Sequence, residues 1–317
     1  MIPLPAVGRG APKLAALCLA LAWLRPALAA CDAPLAVQVL GSGGPIADDA
    51  RAGSGYLLWL NGKSRLLLDT GAGVFTRFGE AGADIESLDL IALTHFHTDH
   101  ASDLPGLLKS GYFSERERDL PIAGPTGNDR FPGLKAFMQA LFAPGEGAFR
   151  YLAGYLDGSD SLFHTPLIEI DANSKHPVDV FQNEHFRVQA VGVHHGIVPA
   201  LGYLVTAGGA HIAFSGDQND DNPQFADMIR GADLLVMDHA IPPDAGRVAR
   251  ALHATPLGIG RLAAKARAGR LVLSHLMARS LREPEASLRE IREAYHGDIA
   301  RAEDLMCIPV RSGGTNS

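Results

Sequence analysis

Beyond its first thirty positions the chain has no run of about 18 apolar residues, which excludes a membrane-spanning helix in the body. It has no internal repeat of short period, and its 35 glycines and 20 prolines signal many turns without low complexity. Cations are outnumbered, 28 Lys and Arg against 35 Asp and Glu, and cysteine is scarcer still, at three. What remains is 317 residues, 47% of them hydrophobic, enough to bury the core of one large globular domain.

Residues 1–30 follow the order of an export signal: Arg9 and Lys13, an apolar stretch over 14–24, then the small-residue site Ala27-Leu28-Ala29. The alternative is a buried N-terminal helix. Without these residues Lys and Arg fall from 28 to 25 against 35 acids, a formal charge of about −10. An acidic body repels phosphate backbones, so no nucleic-acid partner is expected. The expected location is periplasmic or secreted. Two readings meet at Cys31. Leu28-Ala29-Ala30-Cys31 resembles a lipobox, which makes Cys31 a lipid anchor and the protein a lipoprotein. Alternatively Cys31 and Cys307, the remaining cysteines, close a disulfide between the two chain ends. A homodimer is compatible with the sequence.

Strands are expected at 36–40 and at 56–60 and 65–68, the last two paired as a hairpin around Asn61-Gly62. An aliphatic strand at 88–93 is followed by a helix from 104 to 110. Residues 111–180 are less regular and suggest an insertion or lid, with a strand at 120–123 and a helix over 130–142. Its aromatic residues Tyr112, Phe113, Phe142, Phe149, Tyr151, Tyr155 and Phe163 either wall an apolar pocket or form local core. The charges at 115–118 suggest an exposed helix face. Strands resume at 178–182, 186–191, 202–206 and 211–214, then alternate with helices to 295. Two strand-rich stretches, each followed by helices, indicate an α/β protein layered as an αββα sandwich.

The chemistry concentrates in Thr94-His95-Phe96-His97-Thr98-Asp99-His100. Imidazole nitrogen and carboxylate oxygen suit Zn²⁺, Mn²⁺ or iron. His95 and His97, two apart at a strand end, share one side and can hold one metal. Asp99 and His100 lie just beyond and can address a second. A solvated loop that happens to be rich in histidine is the bland alternative.

His-x-His-x-Asp-His is the hallmark of the metallo-β-lactamase superfamily, and residues 36 to about 310 resemble that family. The resemblance implies a four-layer αββα metallo-β-lactamase sandwich, a single hydrolase domain over 31–317 with 111–180 inside it, and two divalent metal ions, zinc first and manganese or iron as alternatives. Asp69-Thr70-Gly71 matches the family's early turn. His194-His195-Gly196 and the following Pro199-Ala200-Leu201-Gly202-Tyr203 look like the phosphodiesterase and arylsulfatase branch, so His195 is the expected third histidine, with His194 the alternative. Asp217 in Phe214-Ser215-Gly216-Asp217 matches the bridging acid, and His275 after 271–274 the last ligand. One metal then takes His95, His97 and His195, the other Asp99, His100 and His275, with Asp217 between them.

Two such cations about 3.5–4 Å apart activate a bridging water as hydroxide and clamp the oxygens of the transition state. Asp99 or Asp217 would hold or accept its proton. Asp238-His239-Ala240 and His253-Ala254-Thr255 resemble elements of the tRNA 3′-end processing enzymes and their phosphodiesterase relatives, where a histidine held by an acid protonates the leaving oxygen. This implies His253 as general acid, with Asp238 or His239 at its partner's position; otherwise His253 precedes the helix at Thr255-Pro256 as a cap. Those tRNA enzymes carry a basic RNA-gripping arm between the third histidine and the bridging acid, and here only 196–216 intervene. The Ser-Pro-Gly-His element of lactamases, glyoxalases and lactonases is absent around His195. The expectation is therefore an exported hydrolase of a small phosphodiester or aryl sulfate-type ester. Alternatives are a lactonase or β-lactamase, and a non-catalytic metal-binding protein retaining the fold.

Overall fold

The structure is a computed structural model, and residues 31–312 are described. The export-signal stretch 1–30 and the lipobox residues before Cys31 lie outside the described residues.

Fourteen strands among the described residues form two seven-stranded sheets. The first contains β1 (Leu35–Gly41), β2 (Gly55–Leu60), β3 (Lys63–Leu68), β4 (Leu90–Ala92), β5 (Ile122–Pro125), β6 (Leu167–Ile170) and β14 (Cys307–Pro309), in the order β14-β1-β2-β3-β4-β5-β6. The second contains β7 (Val178–Gln182), β8 (Phe186–His195), β9 (Val198–Ala207), β10 (Ala210–Phe214), β11 (Leu234–Asp238), β12 (Arg270–Ser274) and β13 (Asp298–Arg301), in the order β13-β12-β11-β10-β9-β8-β7. Each sheet begins as an antiparallel ladder and continues as parallel strands, from β3 onward in the first and from β10 onward in the second.

The strands are hydrophobic on both faces because both faces are covered. Leu66 and Leu68 point into the core between the sheets while Leu67 faces the helices outside. Leu234 and Val236 alternate with Leu235 and Met237 in the same way. The outer layer on the first sheet comprises α1 (Val74–Glu80), α2 (Thr98–Ala101), α3 (Leu104–Gly111), α4 (Leu134–Phe142) and a 3-10 helix at Arg150–Leu156. On the second sheet lie α5 (Pro223–Met228), α6 (Arg247–Leu252), α7 (Pro256–Ala266), α8 (Ala278–Leu281) and α9 (Pro284–Arg292). This is the four-layer α/β sandwich expected from the sequence.

Local chemistry explains several boundaries. β2 and β3 join through Asn61 and Gly62, at φ 50° and 73°, a primed turn whose twist matches the strands. Thr255 caps α7 by accepting from Gly258 N, and Pro256 fills the first turn, where no N–H is needed. Cys31 pairs with Cys307, the disulfide alternative of the two weighed for it, and so ties the start of the described chain to β14.

Residues 111–180, read as an insertion or lid, contribute β5 and β6 to the first sheet. The aromatic residues in this stretch line no pocket at the histidine cluster. Phe142, Tyr155 and Phe163 are core beneath the first sheet, while Tyr112, Phe113 and Tyr151 are exposed around the Lys109 ammonium. The charges at 115–118 do not form a helix face. Arg116 is buried, and its guanidinium donates to the carbonyls of Ile85, Glu86, Leu88, Arg118 and Asp119. Burial lowers its pKa to about 10, and the five carbonyls take the place of an acidic partner. Removing this cation strands buried acceptors. Arg116→Ala is expected to destabilise by about 2–4 kcal/mol in urea unfolding, against under about 0.5 kcal/mol for Arg187→Ala at an exposed ion pair with Asp179. Equal midpoint shifts for the two variants would remove Arg116 from the framework.

Candidate metal centre

The ends of five strands deliver the site. β4 leads into His95 and α2, β8 ends at His195, β10 precedes Asp217, β11 ends at Asp238 and β12 precedes His275. The carboxyl ends of parallel strands open onto one edge of the sandwich, where loops carry side chains into a shared space. Turning the chain this sharply demands unusual backbone. Asp69 and His275 hold φ of 61° and 52°, a conformation non-glycine residues adopt at a cost of about 1–3 kcal/mol. At Gly216, φ is 58° and a Cβ would sit 2.6 Å from Leu201 O, so only glycine fits before Asp217.

Two groups of side chains meet across Asp217. In the first, His95 Nε2 is 3.0 Å from His97 Nδ1, which is 3.4 Å from His195 Nε2. In the second, His275 Nε2 is 3.1 Å and His100 Nε2 3.5 Å from Asp99 Oδ2. Asp217 Oδ1 lies 3.4 Å from His100 Nε2, while its Oδ2 lies 3.3 Å from His275 Nε2 and 3.7 Å from His195 Nε2. His95, His97, Asp99, His100, His195, Asp217 and His275 are thus brought together as the sequence placed them. His194 is not: it is exposed, with Nδ1 on Asp221 O.

The donor set suits cations. Two imidazole nitrogens, His95 Nε2 and His195 Nε2, crowd around His97 Nδ1, where one proton can bridge one pair but not all three atoms. Burial lowers the pKa of His95, His97 and His195, which keeps these rings neutral with lone pairs available. Buried His100 Nε2 and Asp217 Oδ1 make no hydrogen bond. Burial pushes Asp217 up, but the charges on His275 and His100 outweigh it and hold the carboxyl well below its ordinary value. Conversely, Asp217 and Asp69 raise His100 against its burial.

Outer contacts aim the rings. Asp69 accepts from Thr94 N at 2.7 Å and lies 2.9 Å from His100 Nδ1, while Thr94 Oγ1 is 3.1 Å from His95 Nδ1. His195 Nδ1 is 2.8 Å from Leu252 O. These partners occupy Nδ1 and leave Nε2 facing inward. Sequence reading matched Asp69 to a family turn but gave it no role, and Thr94 carried no signal at all.

His253 Nδ1 lies 3.1 Å from Asp238 Oδ2 and 3.8 Å from Asp217 Oδ2. This assigns the uncertain partner: Asp238 holds His253. His239 is buried with neither ring nitrogen hydrogen-bonded among the described residues, and burial lowers its pKa to about 4. Burial also takes His253 to about 4 and, with the Asp217 charge, pushes Asp238 well up. A proton within this pair is therefore shared between an unwilling base and a reluctant acid. The cluster floors a cavity of about 530 Å³ whose far wall includes Phe96, Leu252, Met277 and Arg279. Arg279 was not singled out from the sequence. Its Nε donates to Ala240 O at 2.8 Å, which anchors the guanidinium at the wall.

Residues 64–276 match the family model described as the beta-lactamase superfamily domain. The chain belongs to the beta-lactamase superfamily. Among curated relatives, ribonuclease Z of Haloferax volcanii is 27% identical over 313 residues, covering 84% of this chain and 92% of that one. Ribonuclease Z of Mycobacterium bovis is 30% identical over 208 residues, covering 64% and 69%. Among solved structures, the metallo-beta-lactamase fold protein YhfI from Bacillus subtilis aligns with TM-score 0.66 and 24% identity over 86% of this chain and 99% of that one. The short form of human tRNase Z gives 0.64 and 24% over 87% and 99%.

This superfamily hydrolase is thus similar to enzymes named for RNA. Two expectations are corrected by that finding: a small phosphodiester or aryl sulfate as substrate, and the absence of a nucleic-acid partner. Export, joined to that substrate expectation, finds no support among the relatives. Net charge, the ground on which nucleic acid was not expected, is an average and says nothing about where the cations lie. Among the described residues, no helix is long and apolar enough to cross a membrane.

If the buried cluster is a metal site, ligand binding must stabilise the fold. Zn²⁺ at a thousandfold excess over its Kd is expected to add about 4 kcal/mol to the unfolding free energy, and Asp217→Ala to abolish most of that gain. A melting temperature indifferent to chelator and to Zn²⁺, Mn²⁺ and Fe²⁺ would refute the assignment.

Proposed function

We propose that this hydrolase is a metal-dependent phosphodiesterase that cleaves RNA. The observation that carries the reading is the His253–Asp238 pair beside Asp217, on the cavity side of the cluster. An RNA strand breaks by releasing a ribose oxygen, a poor leaving group that needs a proton as it departs. An aryl oxygen does not. A positioned histidine backed by a carboxylate supplies that proton, and general acids of this kind contribute roughly 10²–10⁴-fold. The ribonuclease Z relatives support the same substrate class.

We assign His95, His97, Asp99, His100, His195, Asp217 and His275 as the residues that would hold divalent metal, zinc being the metal their nitrogen-rich set favours. Bound metal would supply Lewis acidity at the phosphoryl oxygens and lower the pKa of an attacking water. The protein's own residues do the rest. Asp99 and Asp217 are the carboxylates that would hold or accept a proton from such a water. Arg279 presents a planar donor set at the cavity wall, suited to two oxygens of one phosphate. Phe96, stacked on Phe137 of α4 at 4.6 Å, is a rigid apolar wall for a base or ribose.

RNA must be held without a separate arm. Residues 196–216 are consumed by β9, its tight turn at Gly208-Gly209 and β10. For location, the Cys31–Cys307 disulfide supports an oxidising compartment, which intact mass under alkylating conditions checks as a loss of two hydrogens.

Metal-loaded protein is expected to hydrolyse a short single-stranded RNA. His253→Ala should cut that kcat by about 10²–10³-fold, and cut hydrolysis of bis-p-nitrophenyl phosphate by less than about tenfold, because p-nitrophenolate leaves unprotonated. No RNA cleavage by metal-loaded protein, or equal losses on both substrates, would overturn the reading.

A further inference from the structure

The acidic character of the chain is not spread evenly. Residues 31–240 hold 13 Lys and Arg against 27 Asp and Glu, whereas 241–301 hold 11 against 6. The two segments therefore carry −14 and +5. In three dimensions the second segment is the outer helical layer α6–α9 together with β12 and the edge strand β13. The cavity opens against this layer, since Leu252 ends α6, His253 follows it, Met277 precedes α8 and Arg279 lies within it.

Three cations stand next to those wall residues. Arg247 and Arg250 lie on α6, within two turns of His253, and Arg282 follows Arg279 by about one turn. All three are exposed, and none enters a salt bridge among the described residues. Arg250 donates to Ala245 O and Pro243 O, which orders the loop before α6 and leaves its charge unneutralised. Two other cations of the layer are neutralised, Lys265 by Asp227 and Arg270 by Asp298, and neither they nor the remaining arginines flank the cavity residues in sequence as these three do. Unpaired guanidinium groups on the two segments that supply Leu252, His253 and Arg279 to a phosphodiesterase cavity are suited to a polyanion that runs out of it.

We propose that Arg247, Arg250 and Arg282 form the track on which the RNA backbone leaves the cavity, doing the work that a separate arm would otherwise do. The inference rests on the RNA reading above and adds the path. It explains how a chain of formal charge −7 engages a polyanion: the field is divided, and the active cavity lies at the seam. Contact with phosphates rather than base edges predicts weak sequence preference and strong salt dependence.

The test uses metal-loaded full-length protein and a twelve-nucleotide single-stranded RNA. Charge reversal at all three positions (R247E, R250E, R282E) is expected to raise KM at least about tenfold with kcat changed less than about threefold. The slope of log(kcat/KM) against log salt should flatten by about 2, near 0.7 per lost contact, and each single Arg→Ala variant by about 0.7. The single alanines keep the test valid if the triple variant folds poorly. R187E, at the far end of β8 some 26 Å from His195, is the charge control and should change neither quantity. Wild-type-like KM and salt slope in the variants, with the parent still cleaving RNA, would overturn the track and leave the RNA reading intact. A parent that cleaves no RNA overturns both. Loss of binding to phosphatidylglycerol vesicles with unchanged RNA kinetics would reassign the rim to a membrane surface.

Discussion

Everything in this molecule depends on holding like-charged and lone-pair-bearing groups in contact away from water. Seven histidine and aspartate side chains converge at the carboxyl ends of strands, and Asp217 sits within 3.3–3.7 Å of histidines from both groups. Burial alone would protonate the carboxylate and neutralise the rings. The cluster persists because opposite charges offset that cost, as the proposed cations would, while two sheets packed face to face hold the strand ends rigidly enough to prevent relaxation. Left-handed Asp69 and His275 and the obligatory Gly216 show where backbone strain is accepted to aim the side chains.

Around that core the structure divides its tasks. Asp69, Thr94 and the Leu252 carbonyl fix ring orientation from behind. Asp238 and His253 form a second polar unit that meets the first at Asp217, and the His253 ring also lies beside the rings of His195 and His275. The same segment that supplies His253 also carries the unpaired arginines of α6, so the proposed proton donor and the proposed RNA track share one short stretch of chain.

Much of the fold was legible because its signals are local. The aliphatic runs ending in His95 and His275 announced buried strands with ligands at their tips, and Asn61-Gly62 announced a hairpin. Other features lacked a local signature. β14 and β13 are short edge strands whose identity comes from partners some 270 and 30 residues away in sequence. Arg116 resembles any surface charge until five carbonyls surround it, and the aromatic residues of 111–180 divide into core and surface only once β5 and β6 join the first sheet. Net charge misled for the same reason: composition averages over positions, while binding responds to the local field.

The amino-acid sequence alone indicated the fold class, the seven candidate ligands and their order, since four strand ends announce them: one before His95 to His100, and one each at His195, Asp217 and His275. Tertiary structure decided which acid holds His253, that His195 rather than His194 faces inward, and that Arg279 reaches the cavity. Those three matters depend on distances between segments remote along the chain, which no spacing rule encodes, because side-chain partners are chosen by packing of the two sheets and their helices.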